Sequence, residues 1–347
     1  MRFYTNRHQY YCGIDLHASY MYVCIMDRDG NILFHKNLKT RPELFLAAIT
    51  PYKEDVVVGC ECVFLWYWLA DVCEEHGITF KLGHALYMKA IHGGKAKNDR
   101  IDSRKIAALL AGGNFPLAYT YPRGMRSTRD LLRRRNYLVR HRAELITHAQ
   151  NTNSQYNLPA FGKRIDRKST RDGFVERFPD HAARKNVELD TILMDHFEQV
   201  INSIENEILR AVRRQHQHTV SILRSVPGVG KILSLVILFE IHDISRFPTV
   251  QQFASYARLV KCQHSSAGKL RGTGGAKIGN AHLKWALSEA TALFLRGNPR
   301  AQKLKKRLER KHGEGKAMSI IAHKLGRAIY YMLRRKTVFQ PERFFSC

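Results

Sequence analysis

Four carboxylates fall where a metal-assisted attack on phosphate needs them. Asp15 interrupts a mostly apolar run, CGIDLH, and Glu61 directly follows the β-branched run VVVGC. Asp99 and Asp102 lie three apart in KNDRIDSRKIAALL, so a helix there carries both on one face. Asp15 and Glu61, if borne on strands, can stand side by side at a sheet edge, and a helix packed over that edge adds the other two. Such a group repels itself unless a cation neutralises it. Hard carboxylate oxygens suit Mg2+, and a pair of such ions polarises a phosphodiester and stabilises an in-line displacement. Taken singly, each acid has a plainer reading as a strand-end or helix-start residue. Asp99 is placed to cap the helix that follows it.

A second group lies in the last third. Residues 261–287 read KCQHSSAGKLRGTGGAKIGNAHLKWAL and run into a helix over Ala281 to Leu295. A serine in a glycine-loosened loop beside Lys269 and Arg271 is positioned like a nucleophile facing phosphate. A loop of Ser, Gly and Lys also serves simply to hold phosphate, and His264 is either a general base or a polar loop residue. Upstream, SVPGVGK reads as the turn of a helix-hairpin-helix-like module. Gly228 and Gly230 there let backbone amides approach a phosphate at the next helix's N-terminus, and Lys231 adds charge. An ordinary glycine turn between helices fits the same residues.

The elements that must position these groups follow from periodicity. Residues 10–25 and 31–38 are strand-like, with the turn Asp27-Arg28-Asp29-Gly30 between them. A short helix over 40–49 precedes a buried strand over 55–60, a helix over 64–76 and a strand over 78–82. Asn98 to Leu110 is helical, closed by Gly112-Gly113. Hairpin strands followed by βαβ units give a mixed α/β domain whose order fits a ribonuclease-H-like fold among others. After Pro122 the character changes. Ser127 to Gln150 is a long basic helix, and Leu158 to Pro179 reads as a linker or loop. Asn186 to Gln217 carries one apolar stripe, which either packs within its own domain or forms an antiparallel or dimeric coiled coil. The resulting division is 1–122, 123–217 and 218–347.

The charge names the partner. Across 347 residues, 57 Lys and Arg stand against 30 Asp and Glu, a net charge of +27. So large an excess persists best where a polyanion covers it, and nucleic acid is the natural one. Thirteen of the basic residues fall between Arg123 and Arg171, against three acids, and eight between Arg296 and Lys311, against one. Arg133, Arg134 and Arg135, with Tyr137 nearby, offer charge and a stacking surface for nucleic-acid contacts. The longest nearly apolar run, Ile232 to Phe239, is far short of the roughly 20 residues that span a bilayer, and basic residues spread over several segments rather than gathered beside one anchor argue against a membrane partner. The N-terminal residues lack the apolar core of a secretory signal. Seven cysteines without a CxxC pair argue against a zinc site or a disulfide framework and point to a reducing cytoplasm.

These motifs together resemble a known family. GIDLH, GCE after a buried strand, KNDRIDSRKIA, SVPGVGK, FASYARLV and SAGK…GGAKIGNAHLKWAL resemble, in order, the DEDD-type transposases of the insertion-sequence-one-ten family, also described as bridge-RNA-guided DNA recombinases. The resemblance implies a RuvC-like N-terminal domain with Asp15, Glu61, Asp99 and Asp102 holding Mg2+. It also implies a helical coiled coil and a C-terminal transposase domain, whose serine becomes covalently linked to DNA. That serine corresponds to Ser266, with Ser265 as the neighbouring alternative. Donor and target DNA, a structured guide RNA and a dimeric or tetrameric synapse are the implied partners, in a bacterial cytoplasm with nucleoid association when bound to DNA. Two other readings share many of the residues: a metal-dependent junction-resolving nuclease that uses water, and a non-catalytic nucleic-acid-binding protein.

Overall fold

The computed structural model describes residues 2–91, 98–212, 216–261, 264–272 and 278–346, excluding the side chains of residues 89–91, 264, 265 and 270–272. The chain divides into two compact units, Met1–Arg123 and Gly124–Cys347.

The first unit is built on alternating apolar strands. In chain order it runs β1 (Phe3–Tyr4), β2 (Tyr10–Leu16), β3 (Tyr20–Asp27), β4 (Ile32–Lys39), α1 (Pro42–Ile49), β5 (Val56–Glu61), α2 (Trp66–Glu75), β6 (Thr79–Gly83), α3 (Ala85–Ile91), α4 (Asp99–Ala111) and β7 (Phe115–Pro116). Five strands form one sheet in the order β4-β3-β2-β5-β6. β2, β3 and β4 are mutually antiparallel, whereas β2–β5 and β5–β6 pair in parallel. Hairpins link the first three strands, and helices make the parallel crossovers, as parallel pairing requires. Each face of the sheet has its own core. Cys12, Ile14, Leu16, Val56, Val58 and Cys60 pack with Phe45, Leu69 and Cys73. Tyr11 and Val57 pack on the opposite face with Ile106, Ala107, Leu109 and Leu110 of α4.

On that second face two strand positions hold glycine for want of room. A Cβ at Gly13 would fall on the backbone of α4, against Ala107 N and Ser103 O. One at Gly59 would meet Leu110 Cδ1 at 2.8 Å and the Phe115 ring at 3.2 Å. The strands lack side chains at these points, so α4 lies directly on the sheet. Gly13→Ala is therefore expected to cost about 1–3 kcal/mol by overpacking and to lift α4 from β2. Denaturant unfolding reads the stability, and a variant as stable as wild type refutes the close approach.

The second unit is helical. It comprises α5 (Arg123–Gln155), α6 (His181–Val212), α7 (Gln217–Arg224), α8 (Lys231–Ile241), α9 (Val250–Tyr256), a hairpin of β8 (His264–Ser266) and β9 (Lys269–Gly272), then α10 (Ala281–Leu295), α11 (Pro299–His312), α12 (Glu314–Arg335) and α13 (Pro341–Phe345). α5 and α6 run antiparallel: His148 meets Asp190 at 2.6 Å near one end and Arg135 meets Glu205 at 2.8 Å towards the other. The apolar stripe of α6 thus packs within the chain through Val187, Met194 and Ile208. α6 is described to Val212, the expected helix's residues 213–215 lie outside the described residues, and a separate helix, α7, begins at Gln217. Leu158 to Pro179 carries only turns and one short helical turn at Lys168–Thr170, yet it is packed. Ile165, Phe174 and Phe178 are buried with Ala149, Ala183, Val187 and Met194, so this segment folds over the α5–α6 pair. Among the described residues, no helix is long and apolar enough to cross a membrane.

Candidate active site

β2 and β5 put two carboxylates at the same end of the sheet. Ile14 pairs with Cys60, so Asp15 and Glu61 occupy the next step of two parallel strands, at their carboxyl ends. Alternation puts both on the face that carries Tyr11, Gly13, Val57 and Gly59, the face covered by α4. α4 begins at this end. Its N-cap is Asn98, whose side chain accepts from the Ile101 amide at 3.0 Å. The capping reading of Asp99 is thereby corrected: with Asn98 as the cap, Asp99 stands in the first turn and faces Asp15. The turn is tied to β4 by His35, whose Nε2–H donates to the Arg100 carbonyl at 3.0 Å.

The result is a tight polar group. Asp15, His17 and Asp99 offer ligand atoms that all lie within 4.8 Å of one another, an arrangement able to hold a metal ion. His17 Nε2 lies 3.4 Å from Asp15 Oδ2 and 3.7 Å from Asp99 Oδ1, so its ring bridges the two carboxylates. Burial raises the Asp15 carboxyl above the usual carboxylate range; His17 opposes the rise, while the charges of Asp99 and Asp102 add to it. Asp102 also pairs with Lys105 at 3.7 Å. A half-buried carboxyl raised by neighbouring negative charge, as Asp15 is, is the electrostatic condition a divalent cation relieves. Sequence reasoning missed His17. The signal was present: it stands two residues after Asp15, on the same side of an extended chain.

The serine loop forms an exposed hairpin. Ser266 closes β8 and pairs directly with Lys269 of β9, across a two-residue turn of Ala267 and Gly268. Both turn residues have positive φ, 50° and 72°, the geometry of a type I′ hairpin. Ala267 occupies it at a cost of about 1 kcal/mol, which glycine would avoid. Ser266 and Lys269 are exposed, and a directly opposed pair projects from one face of the hairpin. Arg271 lies two residues further along β9; its side chain is outside the described residues, as are those of His264 and Ser265.

The glycine turn divides its roles. A Cβ at Gly228, where φ is +85°, would strike Phe294 N at 2.5 Å and Leu293 C at 2.6 Å, so this glycine lets the α7–α8 turn approach α10. Gly230 caps α8 with open space around it, and Lys231 is exposed beside it.

The three arginines of α5 also separate. Arg133 turns inward and makes a two-pronged contact with the buried Glu240, Nε to Oε1 at 2.7 Å and Nη2 to Oε2 at 2.9 Å. Arg135 is held by Glu205. Arg134 is exposed and stacks over the Tyr137 ring at 4.9 Å. Of the three, Arg133 is engaged by the buried Glu240 and Arg135 by the half-buried Glu205, which leaves Arg134 as the one exposed to solvent. Arg134→Ala is expected to weaken nucleic-acid binding and to lower the slope of log K against log salt by about one. Arg133→Ala should leave that slope alone and destabilise the unit by about 2–3 kcal/mol. Parallel salt titrations and melts check both, and equal salt slopes for the two variants would contradict the assignment.

Comparison with known proteins identifies the chain. Residues 12–157 match a family model described as a transposase, the DEDD type of IS110, and residues 220–306 match one described as "Transposase IS116/IS110/IS902 family". The transposase for insertion sequence element IS1111A of Coxiella burnetii is 24% identical, over 94% of this chain and 90% of its own. The transposase for IS1328 of Yersinia enterocolitica is 24% identical, over 94% and 97%. A pilin gene-inverting protein of Moraxella bovis is 25% identical, over 79% and 78%. The protein is thus a transposase, an enzyme of DNA recombination with DNA as its partner. It belongs to the IS110 family.

Proposed function

We propose that this transposase cuts and exchanges DNA strands through a Mg2+-dependent covalent phosphoserine intermediate, directed by a structured RNA from its own element. The observation that carries the reading is the clustering of Asp15, His17 and Asp99 under α4, with Glu61 on the same strand ends. A RuvC-like identity for residues 1–122 is supported by three antiparallel strands followed by two parallel ones. Residues 123–217 then form the RNA- and DNA-contacting helical region, and 218–347 the serine-bearing domain with its helix-hairpin-helix-like turn at Gly228, Gly230 and Lys231. Leu189, Ile192 and Leu193, each 45% or more exposed on α6, favour a homo-oligomer that covers them.

Asp15, Glu61, Asp99 and Asp102 would hold the metal. When bound, Mg2+ neutralises phosphate oxygens and favours an in-line transition state. Ser266 Oγ forms a bond to phosphorus as the P–O bond to one strand end breaks. The serine proton leaves, and the released oxygen takes up a proton as a hydroxyl. Lys269, opposite Ser266, stabilises the developing charge, with Arg271 assigned the same task. A hydroxyl from a second strand then attacks the phosphoserine, and Oγ departs and regains its proton. One phosphodiester is made for each one broken, so no ATP is needed.

The test is a trapped complex on a nicked substrate, hydrolysed to identify the amino acid bonded to phosphate. Phosphoserine at position 266, formed only with Mg2+, is expected. Cleavage without any adduct would favour a junction-resolving nuclease. Omitting the element's RNA should abolish site choice while leaving salt-sensitive DNA binding.

A further inference from the structure

The serine hairpin stands in a long connection whose two ends are closed on each other. It leaves α9 at Tyr256 and enters α10 at Asn280. There the Asn280 amide donates to the Tyr256 carbonyl at 2.6 Å, and Asn280 Nδ2 donates to the Tyr256 hydroxyl at 3.0 Å. Gly279 completes the closure: at φ +93° it would put a Cβ 2.6 Å from the Tyr256 carbonyl. Asn280 Oδ1 also accepts from the amides of His282 and Leu283, capping α10. Its remaining reach goes to Glu240, with Nδ2 to Oε2 at 2.7 Å. Glu240 is 2% exposed and receives Arg129 at 3.0 Å and Arg133 at 2.7 Å. Burial pushes the Glu240 carboxyl up, but the two arginines and Asn280 outweigh it and bring it to about 2. It is a fixed anion at the base of the loop.

We propose that Asn280 and Glu240 are positioning residues for Ser266, forming a clamp that fixes the base of the loop and thereby the direction of attack. The proposal rests on the phosphoserine reading. A cap alone would be met by any good acceptor at position 280; the donor arm to Glu240 is what joins the loop base to α8 and, through Arg129 and Arg133, to α5. An error of about 1 Å in a nucleophile's placement costs roughly a hundredfold in rate, so a clamp of this kind has a kinetic signature.

Asn280→Asp separates the two roles. It preserves the cap, since Asp and Asn are equivalent there, but it cannot donate and sets a carboxylate against Glu240. The expected result is a single-turnover rate of adduct formation per folded molecule lower by roughly a hundredfold, with DNA affinity close to wild type and a lowered melting temperature from the second buried carboxylate. Adding Glu240→Gln to Asn280→Asp reverses the direction of the hydrogen bond, keeps one negative charge beside the arginines, and should restore most of the rate. An unchanged rate in Asn280→Asp, a loss no larger than its loss of folded protein, or a double variant as slow as the single one overturns the clamp. If wild type cuts DNA without any adduct, the serine reading itself fails, a result distinguishable from all three.

Discussion

Asp15→Asn should stop strand cleavage, lowering the rate by roughly a thousandfold or more, while leaving the metal-free fold at least as stable as wild type. The kinetic loss follows from removing a carboxylate whose side chain is 17% exposed, against 24% for Asp102 and 61% for Asp99. Metal-borne charge stabilisation is worth several kcal/mol at the transition state, and each 1.36 kcal/mol is tenfold. The stability gain follows from the sign of the pKa shift. Burial, Asp99 and Asp102 raise the folded-state carboxyl against the pull of His17. The folded protein therefore keeps this proton at pH values where the unfolded chain has released it. Stability falls as pH rises through the ordinary carboxylate range to the raised value, and the full penalty applies at neutral pH. Asparagine carries no such penalty. Melts in EDTA should give the variant an equal or higher melting temperature, and MgCl2 should raise that of wild type only. A wild-type protein indifferent to Mg2+, or a variant that still cuts, would remove the metal site from the account.

The parts of this site legible in the sequence are those set by local pattern. β5 and its terminal Glu61 were visible because VVVGC has the β-branched run of a buried strand. α4 was visible from the spacing in RIDSRKIAALL, and so was the shared face of Asp99 and Asp102. Which residue caps α4 was not legible, because Asn98 and Asp99 are equally good N-caps and only the backbone turn decides between them. The inward turn of Arg133 was hidden for a different reason: its partner, Glu240, lies 107 residues away, and periodicity carries no information over that distance. The same holds for the segment from Leu158 to Pro179. Its composition describes a linker or loop, yet Ile165, Phe174 and Phe178 are buried against residues from both α5 and α6, contacts that no local pattern announces. The pairing of Ser266 with Lys269 depends on a turn containing alanine, which breaks the usual preference for Asn or Asp before glycine in type I′ loops.

That pairing is the basis of the second large effect, on Ser266. In Ser266→Ala no covalent protein–DNA complex should form, and strand exchange should fall by roughly a thousandfold or more, since in the proposed phosphoserine route the reaction loses the group that conserves bond energy and not merely an orienting contact. Binding of DNA and RNA should stay within about twofold, because phosphate contacts on basic surfaces supply most of that affinity. Ser265→Ala is the matched control. The register sets Ser265 opposite Leu270 and Ser266 opposite Lys269, so only Ser266 has a cation directly across the hairpin. The expected order is therefore near-normal exchange in Ser265→Ala and none in Ser266→Ala, read by denaturing gel from the same substrate. Lys269→Ala should fall between them, losing charge stabilisation worth about 10²–10³-fold. Reversed behaviour of the two serines would move the nucleophile one residue back. If Ser266→Ala cleaves normally while Asp15→Asn is inactive, the attacking group is water, the chain breaks DNA by hydrolysis, and the rejoined strands of recombination must draw their bond energy from another source.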